Sequence, residues 1–136
     1  MARLFLNSII ITFLSFLFAV TIHAGGVVTI LEPVTQSTVS SPVMVCLAVD
    51  GLEVEPSKNG VNTGKGHHHL IINSDLPEDL SQPIGHDLRH IHMGDGSSCK
   101  ELKMAPGKHI IKALFATGNH IPYNPVVSTT VFITVK

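Results

Sequence analysis

From Gly26 onward the apolar residues arrive only in short runs rich in valine, isoleucine and threonine, each cut off by proline, glycine, asparagine or aspartate. No long segment keeps the three-to-four-residue spacing of an amphipathic helix, so the apolar faces this chain can bury have a period of two. The resulting expectation is an all-β fold with strands over 27–31, 42–49, 68–73, 90–93, 99–104, 108–116 and 126–135. In the second of these, Val43, Val45, Leu47 and Val49 share one face, while Met44, Cys46 and Ala48 share the other. Asp50-Gly51 ends that strand. Residues 52–66 carry Pro56, Asn59-Gly60 and Gly64-Lys65-Gly66 and read as a loop, and Pro106-Gly107 reads as a turn. One short helical turn is expected over 76–80, with Asp75 as cap, Pro77 in the first turn and Glu78 and Asp79 as early acids. About seven strands without crossover helices predict a single antiparallel β-sandwich of immunoglobulin-like type.

The first residues read differently. Arg3 precedes an apolar run over 9–20 that Thr12 and Ser15 interrupt, followed by the small residue Ala24. The run is shorter than the roughly 20 residues of a membrane-spanning helix, and the pattern is that of a signal peptide cleaved after Ala24. An uncleaved N-terminal anchor is the alternative. Cleavage would leave residues 25–136 as one domain in the periplasm or outside the cell, without membrane insertion, and no cysteine sits just after Ala24 to carry a lipid. With Arg3 removed, 8 basic residues face 10 acidic ones, a formal charge of −2. Without a basic run, without tryptophan and with Tyr123 as the sole tyrosine, the chain lacks what a nucleic-acid surface needs. Cys46 and Cys99 are the only cysteines, and an oxidising compartment favours a disulfide between them. Such a bridge would constrain the unfolded chain by on the order of 4 kcal/mol. The competing reading makes them soft ligands for copper or zinc.

The chemistry of the chain is dominated by histidine. His67, His68 and His69 are consecutive, and His90-Ile91-His92 follows. On a strand His67 and His69 face one side with Ile71, while His68 faces the other with Leu70 and Ile72. The same alternation puts His90 and His92 on one face. Two imidazoles of a His-x-His pair stand roughly 7 Å apart, and a neighbouring strand or loop has to complete a metal site. His120, after Gly118-Asn119, is the candidate from a loop. The metal reading therefore takes His67, His69, His90, His92 and His120 as ligands for copper or zinc, with His68, His109, Met93 and Met104 as secondary candidates. His86, in a turn, and His109, opening a strand, also read as structural or exposed. In the rival reading the histidines are structural, satisfied by backbone carbonyls or by Asp87, Asp95 or Ser97, and the domain serves adhesion or assembly with an envelope protein partner. No catalytic residue is assigned: no serine or cysteine nucleophile and no phosphate loop stands in a familiar setting, which leaves only metal chemistry to an enzyme.

Two resemblances bear on these readings. The stretch from His90 through Gly94-Asp95 to Cys99 resembles the His-x-His, Gly-Asp and cysteine order of copper/zinc superoxide dismutases. The later zinc-loop histidines and the catalytic arginine of that family have no counterpart, since Arg89 is the only arginine after Arg3. Dismutase activity is therefore not expected. A second resemblance covers most of residues 25–136: Gly66-His67-His68-His69-Leu70, Leu76-Pro77, Ile84, His90-Ile91-His92-Met93-Gly94, Leu102, Pro106-Gly107-Lys108-His109 and Asn119-His120-Ile121-Pro122. It is similar to the DUF4399 group of secreted bacterial domains, and it marks His67, His68, His69, His90, His92, Gly94, Pro106, Gly107, His109 and His120. Met93 stands where that family often has phenylalanine, and Ser98-Cys99 where it commonly has a polar stretch. The resemblance implies domain boundaries and no activity.

Overall fold

The computed structural model describes residues 25–136, so the signal-peptide reading of 1–24 lies outside the described residues. Nine strands follow one another: β1 Val27–Glu32, β2 Thr38–Val39, β3 Val43–Asp50, β4 Glu53–Val54, β5 Lys65–Ile72, β6 His90–His92, β7 Cys99–Leu102, β8 Gly107–Ala116 and β9 Ser128–Val135. They form a three-stranded sheet in the order β1-β3-β7 and a six-stranded sheet in the order β2-β9-β8-β5-β4, with β6 also paired to β5. Among the described residues there is no α-helix, only a 3-10 turn at Ser57–Asn59, and no helix is long and apolar enough to cross a membrane.

The all-β expectation holds, and the long pairings β1–β3, β3–β7, β5–β8 and β8–β9 are antiparallel. The two additional strands, β2 and β4, are two residues each and pair in parallel, β2 with β9 and β4 with β5. Both fall where the sequence has too few alternating residues to signal a strand. The 52–66 loop thus contains a strand fragment, and β5 begins at Lys65 rather than at His68. The helical turn over 76–80 does not form. The Asp75 carboxylate accepts from Lys112 Nζ at 2.7 Å instead of capping backbone, and Asp79 Oδ1 accepts from Ser81 in a local turn that competes with helix.

The inward face of β3 is as the alternation predicts, with Val43, Val45 and Leu47 buried. They join Val28, Ile30 and Leu102 of the smaller sheet, and Leu70, Ile111, Ala113, Phe115, Val131, Ile133 and Val135 of the larger one, in a single apolar core. Cys46 and Cys99 are register partners on β3 and β7 and are joined as a disulfide, which ties the smaller sheet across 53 residues of sequence.

One strand departs from one-face-in, one-face-out. Residues 66–71 of β5 are all buried, because β5 has cover on both faces. Leu70 and the ring of His68, edge-on to Phe115 with centroids 5.0 Å apart, face the main core. On the opposite face Ile71 packs with Leu114, Ala116 and Ile84, with Leu76 against them, in a second, smaller core. The segment joining β5 to β6 therefore folds back over the outer face of the larger sheet, and His67 and His69 lie on that covered outer face.

Candidate metal centre

Three backbone segments bring four imidazoles together. His67 and His69 come from one face of β5. His92 is the antiparallel register partner of His69, so their side chains rise from the same face of the sheet. His120 comes from the loop after β8, where the chain reverses over 117–121 and pairs Pro122 back against Ala116. The loop is held by Thr117 N–H donating to the Ile121 carbonyl at 2.9 Å and His120 N–H donating to the Thr117 carbonyl at 2.8 Å. His120 itself adopts a left-handed φ of 67°. Histidine is among the residues that enter this region more readily than most, yet a non-glycine there is uncommon and often attends a functional site.

One ring nitrogen from each of His67, His69, His92 and His120 lies within 4.8 Å of those of the other three. His67 is the hub: its Nε2 is 3.0 Å from His69 Nε2, 3.1 Å from His92 Nε2 and 3.1 Å from His120 Nδ1. An imidazole nitrogen has one in-plane valence, used by either a hydrogen or a lone pair. His67 Nε2 can thus complete one good hydrogen bond, and three nitrogens compete for it. Crowding of this kind has a natural resolution when all four present lone pairs to a cation. A tetrahedral ion with bonds of about 2.0 Å spaces its ligand nitrogens about 3.3 Å apart, and a square-planar one spaces neighbours about 2.8 Å apart. The three hub distances fall between these values.

Electrostatics favour the neutral form that metal binding requires. Burial, reinforced by the neighbouring histidines, lowers His67 from the usual 6.5 to about 4 and His69 to about 2. Burial also lowers His92, with His120 and His86 adding to the effect and Asp95 opposing it. His67 and His69 are fully buried, and their Nδ1 atoms have no hydrogen-bond partner among the described residues. Packing, rather than a carboxylate behind each ring, therefore sets the orientation of these two imidazoles.

Small residues make room for the rings. A Cβ on Gly94 would fall 2.0 Å from His92 Cε1 and 2.1 Å from its Nε2, so the His92 ring lies where any other residue would put a side chain. The Gly94 carbonyl accepts from Ser57 N–H at 2.9 Å and from Ser57 Oγ at 3.1 Å, which fixes the glycine against the 3-10 turn. Gly66, immediately before the histidine run, sits against the Ala116 carbonyl, which a Cβ would approach to 2.0 Å. Gly118 packs in the same way on the Gly60 carbonyl and lets the His120 loop close down.

The other sequence candidates are placed elsewhere. His90 shares the face of His92, but its Nδ1 is 3.0 Å from Asp87 Oδ1 and it does not join the four. That is the partner the structural reading names, and it suits His90 alone. Asp95 instead accepts from the Ser97 N–H. His109 is held at both ring nitrogens, by the Ala105 carbonyl at 2.8 Å and Asn73 Nδ2 at 2.9 Å. Met93 is buried in the main core and Met104 packs against it. Cys46 and Cys99 are bonded to each other, which removes them as soft ligands. His68 points into the core, lowered to about 4 by burial, with both ring nitrogens unpartnered. Ile84 and His86 line a cavity of about 210 Å³ together with His69, His92 and His120. They lie in an irregular segment without periodicity, so no sequence pattern tied them to the cluster.

A family model described as "Domain of unknown function (DUF4399)" matches residues 45–136. No curated protein matches the chain. Among solved structures the chain is similar to a crystal structure of an engineered protein, with a TM-score of 0.47 and 13% sequence identity over 82% of this chain. The chain spans 20% of the length of that protein.

Proposed function

The chain belongs to the DUF4399 family, and we propose that it binds one transition-metal ion, copper or zinc, through His67, His69, His92 and His120. The observation that carries the proposal is the convergence of three ring nitrogens at 3.0–3.1 Å on His67 Nε2, a nitrogen able to satisfy one of them. Neutral imidazoles suit copper and zinc, and burial favours the neutral form of His67, His69 and His92. The role proposed is non-catalytic binding by a small β-domain, secreted or periplasmic once residues 1–24 are removed. Adhesion or assembly with an envelope partner is the rival reading; it draws support from His90 and His109, which have ordinary structural partners, and none from the four-histidine group.

The test is metal content after dialysis against copper or zinc, on protein produced without a histidine tag. One equivalent should stay with the wild-type chain, fall below a tenth of that with His67→Ala, and stay unchanged with His90→Ala. Equal retention by both variants, or none by the wild type, refutes the proposal.

A further inference from the structure

The four ligands proposed above leave a question of charge and of access, and both have the same answer. A divalent ion held by four neutral imidazoles keeps its full charge, because imidazole contributes a lone pair and no anion. The described residues lining the adjoining cavity are His69, Ile84, His86, His92 and His120, none of them acidic. The nearby carboxylates are engaged elsewhere: Asp87 accepts from Arg89 N–H, His90 N–H and the His90 ring, and Asp95 from Ser97. Three of the four ligand rings form the cavity wall, so the cavity reaches the place where the ion would sit. Its volume is about 210 Å³, room for several water-sized groups. That admits an anion of a few atoms. Four protein ligands fill a tetrahedral zinc ion, whereas copper(II) with four nitrogens near one plane keeps an axial position for a fifth ligand.

Opposite the cluster stands His86, an exposed ring on a segment fixed at both ends. Ile84 N–H donates to the His120 carbonyl at 2.9 Å, and Asp87 N–H donates to the His90 carbonyl at 3.0 Å. The segment is therefore tied to two histidine-bearing elements and holds His86 over the cavity. Resting on the metal reading of this site, we infer that the bound ion keeps a coordination position open toward this cavity and takes a small anion there, with His86 at the rim donating a hydrogen bond to it.

The experiment loads the untagged protein with copper(II), confirms the copper content, and titrates azide while following copper absorption and electron paramagnetic resonance. The wild type should show a saturable azide adduct. His86→Ala, at an exposed position that leaves the fold intact, should keep its copper and bind azide about tenfold more weakly, the loss expected for one hydrogen bond to a charged group. His86→Gln, which restores an N–H donor, should recover part of that loss. Retained copper with spectra that azide leaves unchanged, or equal azide affinity in wild type and His86→Ala, overturns the inference and leaves the metal reading standing. A chain that retains no copper before azide is added overturns both.

Discussion

Lowering the pH of the metal-free protein should destabilise it far more steeply than a domain of this size with ordinary histidines. His67 and His68 are lowered from 6.5 to about 4, and His69 to about 2, chiefly by burial. Their folded-state values lie below the unfolded one, so between the two the unfolded chain binds more protons, and stability is lost as pH falls from about 6.5 to about 4 for His67 and His68 and on toward about 2 for His69. At pH 5 each of the three has forfeited about 2 kcal/mol relative to pH 7.5, on the order of 6 kcal/mol together. That is comparable to the whole stability of a typical domain, about 5–15 kcal/mol. The assay is urea unfolding at a series of pH values with a chelator present, followed by far-ultraviolet circular dichroism because the chain has no tryptophan. His68→Leu isolates one contribution. It removes a ring with two unpartnered nitrogens from the main core, so it should flatten the acid limb by about 2 kcal/mol at pH 5 without removing the four-histidine site. Stability that is constant from pH 7.5 to 5, or an acid limb identical in His68→Leu, would refute the argument that burial holds these histidines neutral.

Other expectations concern individual supports of the site. Gly94→Ala should weaken metal binding by roughly 10- to 100-fold while the circular dichroism of the fold is kept, since its Cβ would displace the His92 ring and nothing in the core; competitive chelator titration measures it, and unchanged affinity would show that His92 is not a ligand. The Cys46→Ala/Cys99→Ala variant should lose about 4 kcal/mol in chemical denaturation, the loop-entropy value for a bridge spanning 53 residues, with metal stoichiometry intact because the bridge lies in the other sheet. Saturating metal, at a hundredfold excess over its dissociation constant, should stabilise the wild type by about 2.7 kcal/mol at neutral pH and leave His67→Ala unaffected.

Much of the fold was legible because strand signals are local. The period-two alternation placed Val43, Val45 and Leu47 inward and put His67 and His69 on one face, and both assignments follow from the pleat alone. The short parallel strands β2 and β4 were invisible, since two residues carry no period and only a partner strand makes them strands. The helical turn over 76–80 was misread for a related reason: its capping signal depends on Asp75, and a lysine 37 residues away takes that carboxylate.

The sequence alone determined the class of fold and the kind of atom available to bind a ligand, because these depend on residue type and nearest-neighbour alternation. Tertiary structure decided which nitrogens meet. His90 and His92 are equivalent by alternation, yet His92 stands opposite His69 and enters the cluster while His90 lies one step along, opposite Ile71, and turns to Asp87. His120 joins from 53 residues beyond His67, through a loop whose reversal no local pattern specifies. Strand register and loop return are set by pairing between distant segments, and distances between side chains exist only once those pairings form.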